Sequence, residues 1–309
     1  AYFNNLSSDK DDIYCYSTTE LLLNELRKVE HVITPSIQDI IKLKGTPLSN
    51  SELARTLQVD HLIVGSVLVT DNELSISYSL FNTKDGSLYF EKSETGSIKY
   101  LKPIIAKMIY AVAETLTLEL DEAHSKLMPQ NPTENEEAYK NFLKAKRNID
   151  QMAGQDKLKQ AESWLNDAIE LDENFIEAYS WRAMALRWFG DIHQAEELLE
   201  SAEEIGNTNH LEHSLAIVYN HFGILYRQMK KFRKSITYSK KAMDIQLILK
   251  DTFEQAKIFQ NIAGCYSVIG EFDRAENYFN KAMELYLELD TQPGIANTYS
   301  GLGNFYEKQ

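Results

Sequence analysis

Phe222-Gly223-Ile224-Leu225-Tyr226 is the stretch on which the fold turns, because it returns forty residues apart in altered form. Ala263 and Gly303 follow Gly223 at that interval, and Ala183 precedes it. Three residues beyond each small position stands a large one: Leu186, Tyr226, Tyr266 and Tyr306. Twelve residues beyond the first three small positions come Ala195, Ser235 and Ala275, and seven further on Ala202, Ala242 and Ala282. Small residues at such points let two antiparallel helices approach closely, while the large ones fill the space between neighbouring hairpins. Four registers agreeing at one period predict stacked helical hairpins, each too thin to bury its apolar side alone.

These segments resemble the tetratricopeptide repeat. Its Leu-Gly-x-x-Tyr signature is approached by Phe222-Gly223-x-x-Tyr226 and matched by Leu302-Gly303-x-x-Tyr306. Its second-helix Ala-x-x-x-Phe-x-x-Ala stands as Ala275, Phe279 and Ala282, more loosely as Ala195, Leu199, Ala202 and Ser235, Ser239, Ala242. An earlier unit ends with Ala161, Leu165 and Ala168. The resemblance runs from about Asn135 to Gln309 and implies about four and a half hairpins over 137–309. It departs in period, forty rather than thirty-four, and in lacking the proline that closes most units; only Pro293 is a candidate. The last unit reaches Gln309 after its first helix, which leads us to expect further protein, or a partner, on that edge.

Residues 1–120 follow other rules. Helical periodicity runs through Thr18-Glu20-Leu21-Leu22-Leu23-Leu26, and His31-Val32-Ile33-Thr34 is a short β-branched run that predicts a strand. Ser49 or Ser51 can cap a helix reaching Leu57. Three strand-like runs, His61–Thr70, Leu74–Asn82 and Ser87–Gly96, are separated by Asp71-Asn72 and Lys84-Asp85-Gly86 as hairpin turns. An amphipathic helix over Ile98–Leu120 follows, and Tyr2-Phe3 reads as the tail of a first strand whose beginning lies upstream. The expected fold is a small α/β domain, a mixed sheet with helices, ahead of an all-α superhelix, joined by a Pro- and Asn-containing linker at 121–136. Phe3-Asn4-Asn5-Leu6-Ser7 with Tyr14 and Glu20-Leu21-Leu22, and the segment Leu57-Gln58-Val59-Asp60-His61-Leu62-Ile63-Val64-Gly65-Ser66-Val67, resemble the TolB-type amino-terminal domain. That pairing implies the sensory or scaffolding region of a bacterial signalling protein, beside a cyclase, kinase or DNA-binding output domain.

Composition narrows the function classes. The 309 residues carry a net charge of −14, with 11 basic and 16 acidic residues up to Leu120 and 21 and 30 after it. Both parts are acidic and would repel a phosphate backbone, so nucleic acid is not an expected partner. The local exception, Lys230, Lys231, Arg233, Lys234, Lys240, Lys241 and Lys250 against Asp244, reads as a solvated helix face or a dock for an acidic partner. No run of about 18 apolar residues is present, so no membrane insertion is expected within this chain. Cys15 and Cys265 form no framework, which suits a reducing compartment but is compatible with the periplasm.

No catalytic, cofactor or metal site is expected. Phosphate-binding glycine motifs and nucleophile elbows are lacking, and Gly301-x-Gly303 belongs to a helix whose amides are already bonded. Ser66 after Gly65 sits in a strand without a nearby histidine, where close backbone packing at the glycine is the simpler account. His210, His213 and His221 read as one helical stretch, with His221 about 16 Å from His210 and too far to share an ion; a two-histidine site completed by Glu212 or Glu204 is the weaker alternative to plain surface polarity.

Function is expected in the groove lined by the first helices of the hairpins. Counting from the small positions, the groove residues are Ser180, Met184 and Arg187; Asn220, Ile224 and Arg227; Gln260, Gly264 and Ser267; then Ser300, Asn304 and Glu307. Asparagine can bond a peptide backbone and arginine a carboxylate, so the expected ligand is a protein or peptide segment with an acidic group near Arg187 and Arg227. Alternatives are a small-molecule-sensing module acting on an upstream output domain, and self-association through exposed edges.

Overall fold

The computed structural model describes residues 1–7, 12–70, 73–120, 131–151 and 154–307. Its chain divides into two compact units, Ala1–Glu136 and Glu137–Gln309. The Asp71-Asn72 turn, most of the expected linker (121–130) and Gln309 lie outside the described residues.

The first unit is built on a four-stranded sheet of order β1-β2-β3-β4, with β1 (Asn4–Asn5) parallel to β2 (His61–Thr70) and β3 (Glu73–Asn82) and β4 (Leu88–Ser97) antiparallel in sequence. Strict alternation on β3 decides its two faces. Leu74, Ile76, Tyr78 and Leu80 are buried, while Ser75, Ser77 and Ser79 face the other way. Helices α1 (Ile13–Leu26) and α4 (Leu101–Leu116) pack together and against this sheet. Gly65 is required by its neighbours: a Cβ there would lie 2.4 Å from the Phe3 ring and 2.4 Å from the Ser77 carbonyl oxygen. Ser66 points to the opposite side of that strand, paired with Ser77.

Between α1 and β2 the chain departs from expectation. Residues 31–34 do not form a strand. His31 takes a left-handed conformation with φ 63°, and Arg27 folds over the segment, donating to Thr34 Oγ1 at 2.7 Å and to the Pro35 carbonyl at 2.8 Å. A β-branched run pairs only if a strand edge is within reach, and this one is held by a side chain instead. Two short helices follow, α2 (Ile37–Lys42) and α3 (Asn50–Leu57), the latter opened by a reciprocal capping box of Ser49 and Glu52. The long helix also begins later than expected, after a single 3₁₀ turn at Ile98–Tyr100.

The second unit is helical throughout: α5 (Glu136–Asp150), α6 (Gln155–Leu171), α7 (Ile176–Phe189), α8 (Ile192–Thr208), α9 (Glu212–Gln228), α10 (Phe232–Ile248), α11 (Thr252–Val268), α12 (Phe272–Glu288) and α13 (Gln292–Tyr306). The repeat registers are its core. Ala183, Ala263, Ala195, Ala202, Ala242, Ala275 and Ala282 are fully buried, with Leu199, Phe279 and Phe222 between them. Gly223 lies against Ser239 of its own hairpin; a Cβ on it would come within 2.5 Å of that hydroxyl. At the corresponding places on α13, Gly303 faces open space and Tyr306 is 55 % exposed, against 2 % for Tyr226.

The absent prolines are explained by the turns. Gly190, His210, Lys230, Lys250, Gly270 and Asp290, spaced twenty residues apart, all have positive φ. Beside each, an amide reaches back five residues, from 191 to 186 through 291 to 286, at 2.9–3.2 Å. This is the Schellman closure, which ends a helix by a left-handed residue rather than by a missing donor. Pro293 instead opens α13, in its first turn. Four of the six positions carry a side chain where glycine is preferred. We expect Lys230→Gly to raise stability by about 0.5 kcal/mol, the relief of left-handed strain exceeding the added chain entropy; an unchanged or lowered melting temperature would refute this.

Candidate functional site

Successive first helices α7, α9, α11 and α13 lie side by side, which brings the anticipated groove residues of adjacent repeats together. The structure divides those residues into two groups. Ser180 is fully buried, Met184 is 4 % exposed within the core, and Ser267 is 8 % exposed. These three are floor rather than surface, a correction that arises because helix neighbours at i and i+4 converge where hairpins close. Arg187, Asn220, Ile224 and Gln260 are half-buried, and Arg227, Ser300, Asn304 and Glu307 are exposed. Gly264 has nothing near the place of a Cβ.

The two arginines are tied across repeats by amides. Arg187 Nη1 donates to Gln228 Oε1 at 2.8 Å, and Arg227 Nη1 to Asn261 Oδ1 at 3.2 Å. The Arg187 guanidinium also rests over the Trp188 ring, 4.9 Å from its centroid. Burial, and then the like charge of Arg227, lower the Arg187 pKa from its ordinary value. Two polar atoms of the half-buried group, Arg187 Nε and Asn220 Oδ1, are themselves buried with no hydrogen-bond partner. Gln260 accepts from the Tyr286 hydroxyl at 3.4 Å.

Beneath them is a pair that the sequence reading overlooked. Ser180 Oγ lies 2.7 Å from His221 Nδ1, and the Trp181 ring meets the imidazole edge-on at 5.2 Å between centroids. Burial first, then the positive charge of Lys257, pushes the His221 pKa down to about 3. Both side chains are sealed, and their contact ties α7 to α9. One signal was available: 41 residues separate the two, one repeat plus one step, which places them on facing sides of neighbouring first helices. The grouping of the histidines also changes. His210 belongs to a turn, α9 starts only at Glu212, and among the described residues no three metal-binding side chains cluster.

The basic run at 230–250 is paired in part: Lys231 reaches Glu196 at 3.6 Å, Lys241 reaches Glu203 at 2.8 Å and Arg233 reaches Glu271 at 3.3 Å, while Lys230, Lys234 and Lys240 are exposed. Cys265 is buried beside Ser235, and burial raises the pKa of its thiol. Among the described residues no helix is long and apolar enough to cross a membrane.

Comparison with known proteins accords with this architecture. Two family models described as tetratricopeptide repeat match residues 175–247 and 256–288. No curated protein matches the sequence. Among solved structures, a signal transduction ATPase with numerous domains carrying a tetratricopeptide repeat sensor, from Pyrococcus horikoshii, is 19% identical with a TM-score of 0.52. That match covers 69% of this chain and 32% of the other, so this chain spans about a third of that protein's length. BtubC from P. vanneervenii is 19% identical, TM-score 0.49, over 66% of this chain and 79% of that one. The pilF protein of Pseudomonas aeruginosa is 18% identical, TM-score 0.42, over 56% and 75%. Repeats of this kind are protein–protein interaction scaffolds, generally without catalysis of their own. The chain therefore carries tetratricopeptide repeats, preceded by a small mixed four-stranded sheet.

Proposed function

We propose that the repeat unit holds a protein or peptide segment against the faces of α7, α9, α11 and α13, contacting Arg187, Asn220, Ile224, Arg227, Gln260 and Asn304. Ser180 and Met184 support this surface from below. The observation that carries the reading is the alignment of polar, partly open side chains on adjacent first helices, two of which keep buried polar atoms without partners. A segment running across the helices would meet the open polar atoms of these half-buried side chains with its backbone donors and acceptors. The chain would act as a non-catalytic scaffold. Its setting in the regulatory region of a bacterial signalling protein rests on the resemblance of residues 1–120 to the TolB-type domain.

The test is positional. A photo-crosslinking residue at Ile224 or Gln260 should capture a protein from the source cell, while one at Lys240, exposed on the second helix α10, should not. Equal capture from both positions, or from Lys240 alone, would sink the groove reading.

A further inference from the structure

We infer that the segment held by the repeats is acidic, and that one Asp or Glu side chain of it seats between Arg187 and Arg227. This deepens the groove reading above and rests on it.

The inference starts from how this unit treats other arginines. Arg182, Arg233 and Arg274 each lie within ion-pair distance of a carboxylate, at 2.7 Å from Glu162, 3.3 Å from Glu271 and 2.7 Å from Glu271. Among the described residues Arg187 and Arg227 do not. Among the described residues their side-chain hydrogen bonds go only to the neutral oxygens of Gln228 and Asn261. The chain has 46 Asp and Glu residues and a net charge of −14, yet none of the described ones is paired with either arginine.

The consequence is electrostatic. Arg187 is half-buried, bonds Gln228 beside a second positive charge, Arg227, and leaves its Nε–H without an acceptor. Taking a guanidinium partly out of water without a counter-charge is unfavourable, and the repulsion from Arg227 adds to it. An arriving carboxylate supplies the missing counter-charge and offsets the repulsion. It accepts from the Nη–H groups at the open edge of the planar forks, not from the covered Nε–H, and is shared by both arginines. The Trp188 ring beneath the guanidinium limits its rotation, which keeps the fork aimed. Asn220 Oδ1, the other orphan, sits on α9 two turns before Arg227, about 10 Å along the axis.

Geometry favours a side chain over a chain terminus. Arg187 and Arg227 belong to α7 and α9, and Gln260 and Asn304 to α11 and α13, so a segment that meets all four passes through this point.

Selection of random dodecapeptides on the intact chain tests the inference, followed by titration of the selected peptides and their Asp→Asn or Glu→Gln analogues. We expect one fixed acidic position, about 10- to 100-fold weaker binding of the amide analogue, and equal binding of both peptides by an Arg187→Gln/Arg227→Gln variant whose melting is unchanged. The peptide analogues read the effect on the unaltered protein, so a misfolded variant would not obscure it. Peptides that crosslink to Ile224 or Gln260 but show no fixed acid, or whose amide analogue binds equally well, would overturn the inference and leave the groove reading intact. Peptides that bind only elsewhere, or none at all, would overturn both.

Discussion

Gly65→Ala should destabilise the amino-terminal unit by about 3 kcal/mol, while Ser66→Ala, one residue on, changes stability by about 0.5 kcal/mol or less. The added methyl would stand 2.4 Å from both the Phe3 ring and the Ser77 carbonyl oxygen. Phe3 is 1 % exposed and cannot swing away, and the carbonyl belongs to the adjoining strand. Relief therefore requires prising β2 from β3 or expelling Phe3 from the core. A close-packed interior makes either costly. Hydrogen exchange locates the effect: amides of β2 and β3 should lose protection while those of α9 to α12 keep theirs. Uniform loss in both units, or none, would contradict this account of the glycine. The same experiment bears on the nucleophile that Gly65-Ser66 superficially suggests, since it assigns the need for small size to the glycine alone.

Acidification should weaken the repeat unit through His221, and His221→Gln should remove that part of the response. Unfolded, the imidazole takes a proton near pH 6.5; folded, it stays neutral until about pH 3. Between those values the unfolded chain binds the extra proton, so stability rises with pH and is lost as pH falls. The slope is about 1.4 kcal/mol per pH unit at most, and from pH 6.5 to 4.5 the loss approaches about 2–3 kcal/mol. Burial is the main cause, and the nearby charge of Lys257 adds to it. Urea unfolding of wild type and variant across this range gives the comparison. The variant starts from lower stability at pH 7, having lost a cross-repeat contact, but its curve should be flatter by one proton. Parallel curves would show that His221 does not titrate as the structure implies. Carboxylates contribute to both proteins alike and cancel in the difference.

Both effects arise at contacts between elements distant in sequence, and the same distinction separates what was legible in the chain from what was not. Periodic features came through. The forty-residue spacing of Ala183, Gly223, Ala263 and Gly303 identified the hairpins, because a stacked helix can tolerate only small residues where two axes approach. The meander was legible to within a residue or two, since strand alternation and turn residues are local signals. His31–Thr34 was not, because a β-branched run becomes a strand only where an edge accepts it, and Arg27 holds this one in a loop.

The candidate site divides the same way. Helical geometry placed Arg187, Asn220, Ile224 and Arg227 on one face, as any regular repeat must. It could not say that Ser180 and Met184 lie beneath that face, since burial depends on the neighbouring repeat as much as on a helix's own periodicity. It marked the Ser180–His221 contact only by a separation of one repeat plus one residue, and it could not see that Schellman turns at His210, Lys230, Lys250 and Asp290 replace the prolines, since left-handed backbone at a side-chain-bearing residue has no strong compositional mark. By itself the sequence determined which residues repeat, and so the architecture and the face on which a partner is sought. Tertiary structure alone decided which of those side chains remain open and which arginines lack a counter-charge, because both depend on distances between helices that no single stretch of chain contains.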